Sequence, residues 1–188
     1  TRIHLDKSAI VETHKVSNGV VYVMNRIDYK MSGKIKPVII QGENYVSYME
    51  NRESRRTFTR RNPFTNVDFR EIYFYNTGRA SYWIQYKPIV NTLTYKVYWV
   101  AVRDFNTTAI APAVPLMFSQ RLAFGTTALL PAFPYKQVDI LNYNEIYLGD
   151  YTVTSYGELD TFLVSANTTV DGTNSLVLDY IKMVPVIK

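Results

Sequence analysis

An all-β fold, a jelly-roll β-sandwich preceded by a short β segment, is what this sequence predicts. Three observations predict it. Tyrosine is abundant, at 16 of 188 residues, beside nine Phe and two Trp, and aromatic and β-branched side chains suit pleated, half-buried strands. Short runs rich in Val, Ile, Thr and Tyr recur along the chain, each bounded by Asn, Gly, Asp or Pro, a spacing that argues a sandwich or barrel. No segment keeps the period of an amphipathic helix for more than about three turns.

The elements follow in order. Ser17-Asn18-Gly19 is a turn signal, and the β-rich run 20–24 comes directly after it. Residues 31–37 read as a linker punctuated by Gly33 and Pro37. The chain therefore divides into 1–36, a short β element with its linker, and 37–188, the sandwich. Val38, Ile39 and Ile40 open a strand that ends near Gly42. The stretch 51–66 lacks periodicity and contains Asn62-Pro63, which predicts an exposed, arginine-rich loop. Residues 67–78 carry aromatic side chains on both faces, as expected of a strand covered on both sides. The next strand, 80–89, closes at Pro88.

Residues 93–105 give the strongest strand signal. Tyr95, Val97, Trp99 and Ala101 fall on one face, and Lys96, Tyr98, Val100 and Val102 on the other. Four prolines break 111–134 into strand pieces and loops, of which 120–126 is the most strand-like. A hairpin about Gly149-Asp150 is expected over 145–157. Two last strands, in 159–169 and 175–186, are joined through Asp171-Gly172-Thr173-Asn174.

Composition narrows the chemistry. Cysteine is absent, which excludes disulfides, thiolate metal sites and a cysteine nucleophile. No apolar run reaches the ~18 residues of a membrane-spanning helix. The net charge is +5, with a dense basic run at Arg52, Arg55, Arg56, Arg60 and Arg61. That run reads as a solvated loop, or as a contact for a partner or an anion through Arg55, Arg56, Arg60 and Arg61. Nucleic acid is not expected, because the RNA-binding signature strings are missing. The chain starts at Thr1 and reads as a processed piece of a longer protein.

Two segments carry a resemblance. HKVSNGVVYVMNRI at 14–27 resembles the closing strand of a fasciclin domain. LGDYTVTSYGELDTFLVSANTTVDGTNSLVLDYIKMVPV at 148–186 resembles the end of the jelly-roll domains that follow fasciclin domains in Bacteroidetes surface lipoproteins. VIIQGENY at 38–45 is similar to the first strand of galactose-binding-like carbohydrate modules, with Glu43 and Tyr45 as the acidic-aromatic pair. The resemblance implies an exported protein on the outer-membrane surface of a Gram-negative bacterium. It implies a non-catalytic accessory module that docks on a SusC/SusD-like nutrient-uptake complex, an outer-membrane transporter or lipoprotein assembly. The alternative is a module that captures glycan. Jelly-roll sugar modules commonly hold a structural calcium through loop oxygens, here near Glu43; no other cofactor is implied.

The residues name no catalytic centre. Only His4 and His14 are present, without zinc-like spacing, and no Gly-x-Ser-x-Gly elbow occurs. Glu43, Glu71, Glu145, Glu158 and Asp179 supply carboxylates, but sequence cannot set two of them at hydrolytic separation. Asp179 is expected to cap a turn or pair with a basic neighbour. The chain therefore reads as a non-enzyme without a metal centre. The chemically suggestive surplus is aromatic. Trp83, Tyr86, Tyr98, Trp99 and Tyr147 could form a platform on which sugar rings stack, or could fill the core between the sheets.

Overall fold

Period-two patterning in the sequence becomes alternation of buried and exposed side chains in a set of antiparallel strands. The computed structural model describes residues 6–26, 35–51, 53–75, 77–79, 81–103, 118–128, 133–166 and 175–187. Residues 31–34 of the expected linker at 31–37, and the turn at 171–174, lie outside them. The chain forms two compact units, residues 1–36 with Ile187, and residues 37–186. Among the described residues the only helical element is a 3₁₀ turn, Lys7–Ala9.

In the first unit β1 (Ile10–Val16) and β2 (Gly19–Met24) pair antiparallel around the Ser17-Asn18 turn. Asp6 caps the 3₁₀ turn, accepting from the Ser8 amide at 2.9 Å, and holds the Arg26 guanidinium at 2.8 Å. A two-stranded ribbon has no second layer to cover it. Val11, Val16, Val20, Val21, Tyr22 and Val23 are all exposed.

The second unit contains β3 (Val38–Gln41), β4 (Ser47–Tyr48), β5 (Ser54–Arg61), β6 (Asp68–Tyr75), β7 (Trp83–Tyr86), β8 (Ile89–Val90) and β9 (Thr94–Val100). It continues with β10 (Ser119–Phe124), β11 (Lys136–Gln137), β12 (Ile146–Thr152), β13 (Gly157–Glu158), β14 (Thr161–Ser165), β15 (Leu176–Leu178) and β16 (Tyr180–Pro185). Its two main sheets run β11-β10-β14-β7-β4 and β12-β9-β16-β3. Apart from β10-β11, neighbours in these two sheets are not consecutive in the chain, as a jelly-roll sandwich requires. A three-stranded sheet, β15-β6-β5, and a two-stranded pair, β13-β8, complete the unit.

The inner faces share one core. Ile84 and Tyr86 from β7, Leu122 and Phe124 from β10, Tyr95, Val97 and Trp99 from β9, and Ile181 and Met183 from β16 belong to a single buried cluster. Aromatic side chains join the sheets: Phe124 of β10 lies over Tyr151 of β12 at 4.2 Å between centroids, and the buried Tyr86 hydroxyl donates to the Gly42 carbonyl at 3.0 Å. Burying a side chain of this size is worth roughly 1.5–3 kcal/mol. Gly42 has no room for a side chain, since a Cβ there would lie 2.2 Å from the Leu178 carbonyl oxygen. That close approach sets the segment leading to Glu43 against the junction of β15 and β16.

Gln120 ties the sandwich to the three-stranded sheet. Its side chain enters the interior and replaces a missing strand: Nε2 donates to the Val177 carbonyl at 2.8 Å, and Oε1 accepts from the Val177 amide at 3.0 Å. Both residues are fully buried. One side chain thus satisfies both backbone groups that β15 turns away from β6.

Three expectations are corrected. The arginine-rich stretch is not a loop. Residues 54–61 form β5, in register with β6 over its whole length, and the binary pattern fails because Arg60 turns inward. Its Nε lies 2.9 Å from an oxygen of the fully buried Glu71. Residues 146–152 are one strand, not a hairpin; the glycine marks a bulge between Tyr147 and Gly149. Among the described residues no basic side chain pairs with Asp179, at the break between β15 and β16. It is buried beside another carboxylate, Glu43, and the two causes that push its pKa up are burial and the charge of Glu43.

Candidate functional site

The outer face of the four-stranded sheet carries the arrangement with most chemistry. Antiparallel register sets Tyr147 opposite Tyr98, Tyr98 opposite Lys182, and Lys182 opposite Ile39, a row that crosses all four strands. Inward neighbours alternate with these positions, so the row faces outward. The Tyr98 and Tyr147 ring centroids are 5.3 Å apart, with planes tilted by 49°. Tyr147 is 44% exposed.

Several contacts fix the pair. The Tyr147 hydroxyl donates to Asp150 at 2.7 Å, and Lys136 Nζ donates to the Tyr147 carbonyl. The bulge re-aims Tyr147. It depends on Gly149, whose φ of +145° is disfavoured for other residues, and whose missing Cβ would meet the Phe133 ring at 2.7 Å. The hydrogen bond to Asp150 also raises the Tyr147 phenol pKa, because it favours the protonated form. Beside the row, Lys182 Nζ lies 2.8 and 3.1 Å from the two oxygens of Glu145, and the Tyr180 hydroxyl donates to Glu145 at 2.9 Å. Burial, followed by that hydrogen bond, pushes the Tyr180 pKa up. Amphipathic rings framed by charged donors and acceptors can stack on an apolar ring face and bind hydroxyls at its edge.

Next to the row is a cleft of about 400 Å³, lined by Gln41, Glu43, Asp179 and Tyr180 on one side and Thr59, Asp68, Phe69 and Arg70 of the β5–β6 ribbon on the other. Beyond the ribbon's turn Phe64 is 81% exposed and meets Tyr143 edge-on. Asn62 holds that turn rigid, accepting from the Phe64 and Thr65 amides at 2.9 and 3.2 Å.

Within the cleft Glu43 and Asp179 come together. Arg70 lies 3.4 Å from Glu43 Oε1, whereas Oε2 is buried without a hydrogen-bond partner among the described residues. Burial, and secondarily the charge of Glu43, pushes Asp179 from 3.8 to about 7. Two adjacent carboxylates with an orphaned oxygen fit a hard cation such as calcium, which binds through oxygen. These two residues would hold it, and the ion would neutralise their repulsion and fix the segment after β3 to the β15–β16 junction. Among the described residues no group of three or more His, Cys, Asp or Glu side chains could hold a metal ion, so the remaining ligands would be carbonyl, amide or water oxygens.

The five aromatic residues expected to form one platform are not together. Tyr86 and Trp99 are 0% and 2% exposed, with rings in the core that no ligand can reach. Trp83 is half-buried on the outer face of the other main sheet, edge-on to Phe162 at 5.4 Å. Only Tyr98 and Tyr147 share a surface. The four arginines are also divided. Arg55 stacks on Tyr48 at 4.4 Å, and its nearest carboxylate is Glu53 at 3.7 Å. Arg60 is an interior ion pair, while Arg56 and Arg61 are exposed. His4 lies outside the described residues, and His14 is exposed beside Glu12 at 3.0 Å. Glu145 was one of the five candidate carboxylates, whereas Lys182 and Tyr180 were not anticipated, although alternation along 180–184 would have put both on the outer face.

No family model matches the chain, and no curated protein matches it. Similar solved structures include the Podospora anserina GH26-CBM35 β-(1,4)-mannanase, with TM-score 0.49 and 11% identity over 81% of this chain. They also include the insecticidal crystal protein Cry2Aa, with TM-score 0.46 and 12% identity over 79% of this chain. The chain spans 28% and 21% of the lengths of those two proteins.

Proposed function

We propose that the chain is a non-catalytic module that binds carbohydrate on the outer face of its four-stranded sheet. The observation that carries the proposal is the exposed Tyr147, set beside Tyr98 and held in place by Asp150, Lys136 and the glycine bulge. A fixed aromatic ring costs little entropy to order on binding, and its π-face accepts the C–H face of a sugar. Lys182 and Glu145 supply hydrogen bonds to hydroxyls. Calcium at Glu43 and Asp179 would have a structural role in the same module. A glycan array probed with the wild-type chain and with Tyr147→Ala tests the proposal. Signals that disappear in the variant support it, and signals indifferent to the substitution reject this face.

A second reading rests on the first unit. Its ribbon exposes six large apolar side chains and two strand edges that are unpaired among the described residues, which favour pairing with another chain. On this reading the module docks on an outer-membrane uptake complex at the surface of a Gram-negative bacterium. Among the described residues no helix is long and apolar enough to cross a membrane. A pull-down from native outer membranes, with and without residues 1–36, tests it: recovery of a transporter complex that depends on those residues supports docking, and recovery that ignores them rejects it.

A further inference from the structure

We infer that the ligand of the Tyr98–Tyr147 face is a single, twisted glycan chain of at least about three sugars, and not the flat surface of an insoluble polysaccharide. The inference rests on the carbohydrate reading above and deepens it. Ring orientation carries the first part. A flat crystalline surface can be stacked by several rings at once only if those rings are coplanar. Here the two rings stand 5.3 Å apart with planes 49° from parallel, so a surface flush with one is met by the edge of the other. Consecutive sugars turned relative to each other can satisfy both.

The tilt is built in. Tyr98 and Tyr147 occupy adjacent strands of a twisted sheet, and the bulge at Gly149 turns Tyr147 further. The Asp150 contact at 2.7 Å then holds its hydroxyl. Flattening the pair would break that hydrogen bond.

Length comes from the row. Tyr147, Tyr98, Lys182 and Ile39 occupy four neighbouring strands. With strands ~4.8 Å apart the row is ~14 Å long, room for about three pyranose rings laid across the strands. Its members change character in a way that suits a chain: two stacking rings, then the charged pair Lys182–Glu145, then the exposed Ile39. The side of the row is bounded as well. Tyr180 and Gln41, two positions along β16 and β3, are the near side of the cleft, and Phe69 and Arg70 are its far side. The β5–β6 ribbon thus bounds the row on the side of the cleft.

Isothermal titration of the full chain with cello-, manno- and xylo-oligosaccharides, from disaccharide to hexasaccharide, tests this together with depletion by microcrystalline cellulose. The expected result is an affinity that rises at least tenfold between disaccharide and tetrasaccharide and then levels, with no depletion by the crystalline polymer. Lys182→Ala should weaken the tetrasaccharide several-fold, and by more than it weakens the disaccharide. Depletion by microcrystalline cellulose without oligosaccharide binding would overturn the inference while leaving carbohydrate binding intact. Equal affinity for disaccharide and tetrasaccharide would also overturn it, by confining the contact to one end of the row. Binding to neither class removes the carbohydrate reading, and the inference with it.

Discussion

Replacing Gln120 by methionine should unfold the protein at markedly lower denaturant. Methionine keeps the length and nearly the volume of glutamine, so the change removes hydrogen bonds without opening a large cavity. The two bonds lost are those at 2.8 and 3.0 Å to the Val177 carbonyl and amide. Val177 is 0% exposed, so water cannot replace them. Each buried backbone group left without a partner costs about 1–3 kcal/mol, which gives about 2–6 kcal/mol in total. Urea unfolding followed by tryptophan fluorescence should show a midpoint lowered by about 1–2 M at unchanged slope. Gln120→Glu should be at least as damaging at neutral pH, since it keeps an acceptor for the amide but sets a carboxylate oxygen against the carbonyl. A loss below about 0.5 kcal/mol for Gln120→Met would refute the idea that this side chain substitutes for a strand.

Other perturbations separate the remaining claims. Arg60→Ser should cost about 3–5 kcal/mol, because it leaves the buried Glu71 without its 2.9 Å partner, while Arg56→Ser and Arg61→Ser on the same strand should stay within about 0.5 kcal/mol by thermal melting. In metal-free buffer Asp179 holds its proton up to about pH 7 in the folded state but only to about 3.8 when unfolded. The folded state therefore binds the extra proton between those values, and stability must fall as pH rises through that window, by up to about 4 kcal/mol. Asp179→Asn should flatten the profile in pH-dependent urea melts, and an unchanged slope would contradict the placement of that carboxylate. Calcium at about 100-fold excess over its Kd should raise the wild-type Tm by about 5–10 °C, and no shift should remain in Glu43→Gln; an equal shift in both proteins would place the ion elsewhere.

Much of the sandwich was legible because strand patterning reports burial directly. In β9 the face carrying Tyr95, Val97 and Trp99 is the buried one, and Lys96 and Tyr98 lie outside it. The same alternation bears on the expected platform. Tyr98 and Trp99 are consecutive in a strand and must point to opposite sides, and Trp83 and Tyr86 stand in the same relation in β7. A platform that included all of them conflicts with the period of the strand itself. β5 was illegible for another reason. Its inward positions are Phe58 and an arginine, and only the fold reveals that Glu71, from the neighbouring strand, is there to pair with it. The Glu43–Asp179 contact joins residues far apart in sequence, brought together by Gly42 pressing on Leu178, and no local pattern encodes that approach. Gly149 suggested a turn, but pairing with Val97 keeps the strand continuous through a bulge.

The carbohydrate claim turns on two rings, and calorimetric titration with the best glycan from an array tests it most directly. Tyr98→Ala and Tyr147→Ala should each weaken binding by about tenfold, the equivalent of ~1.4 kcal/mol, with unchanged circular dichroism. Trp83→Ala, on the outer face of the other main sheet, should bind like the wild type. Wild-type affinity in both tyrosine variants, or a loss in Trp83→Ala alone, would contradict the account.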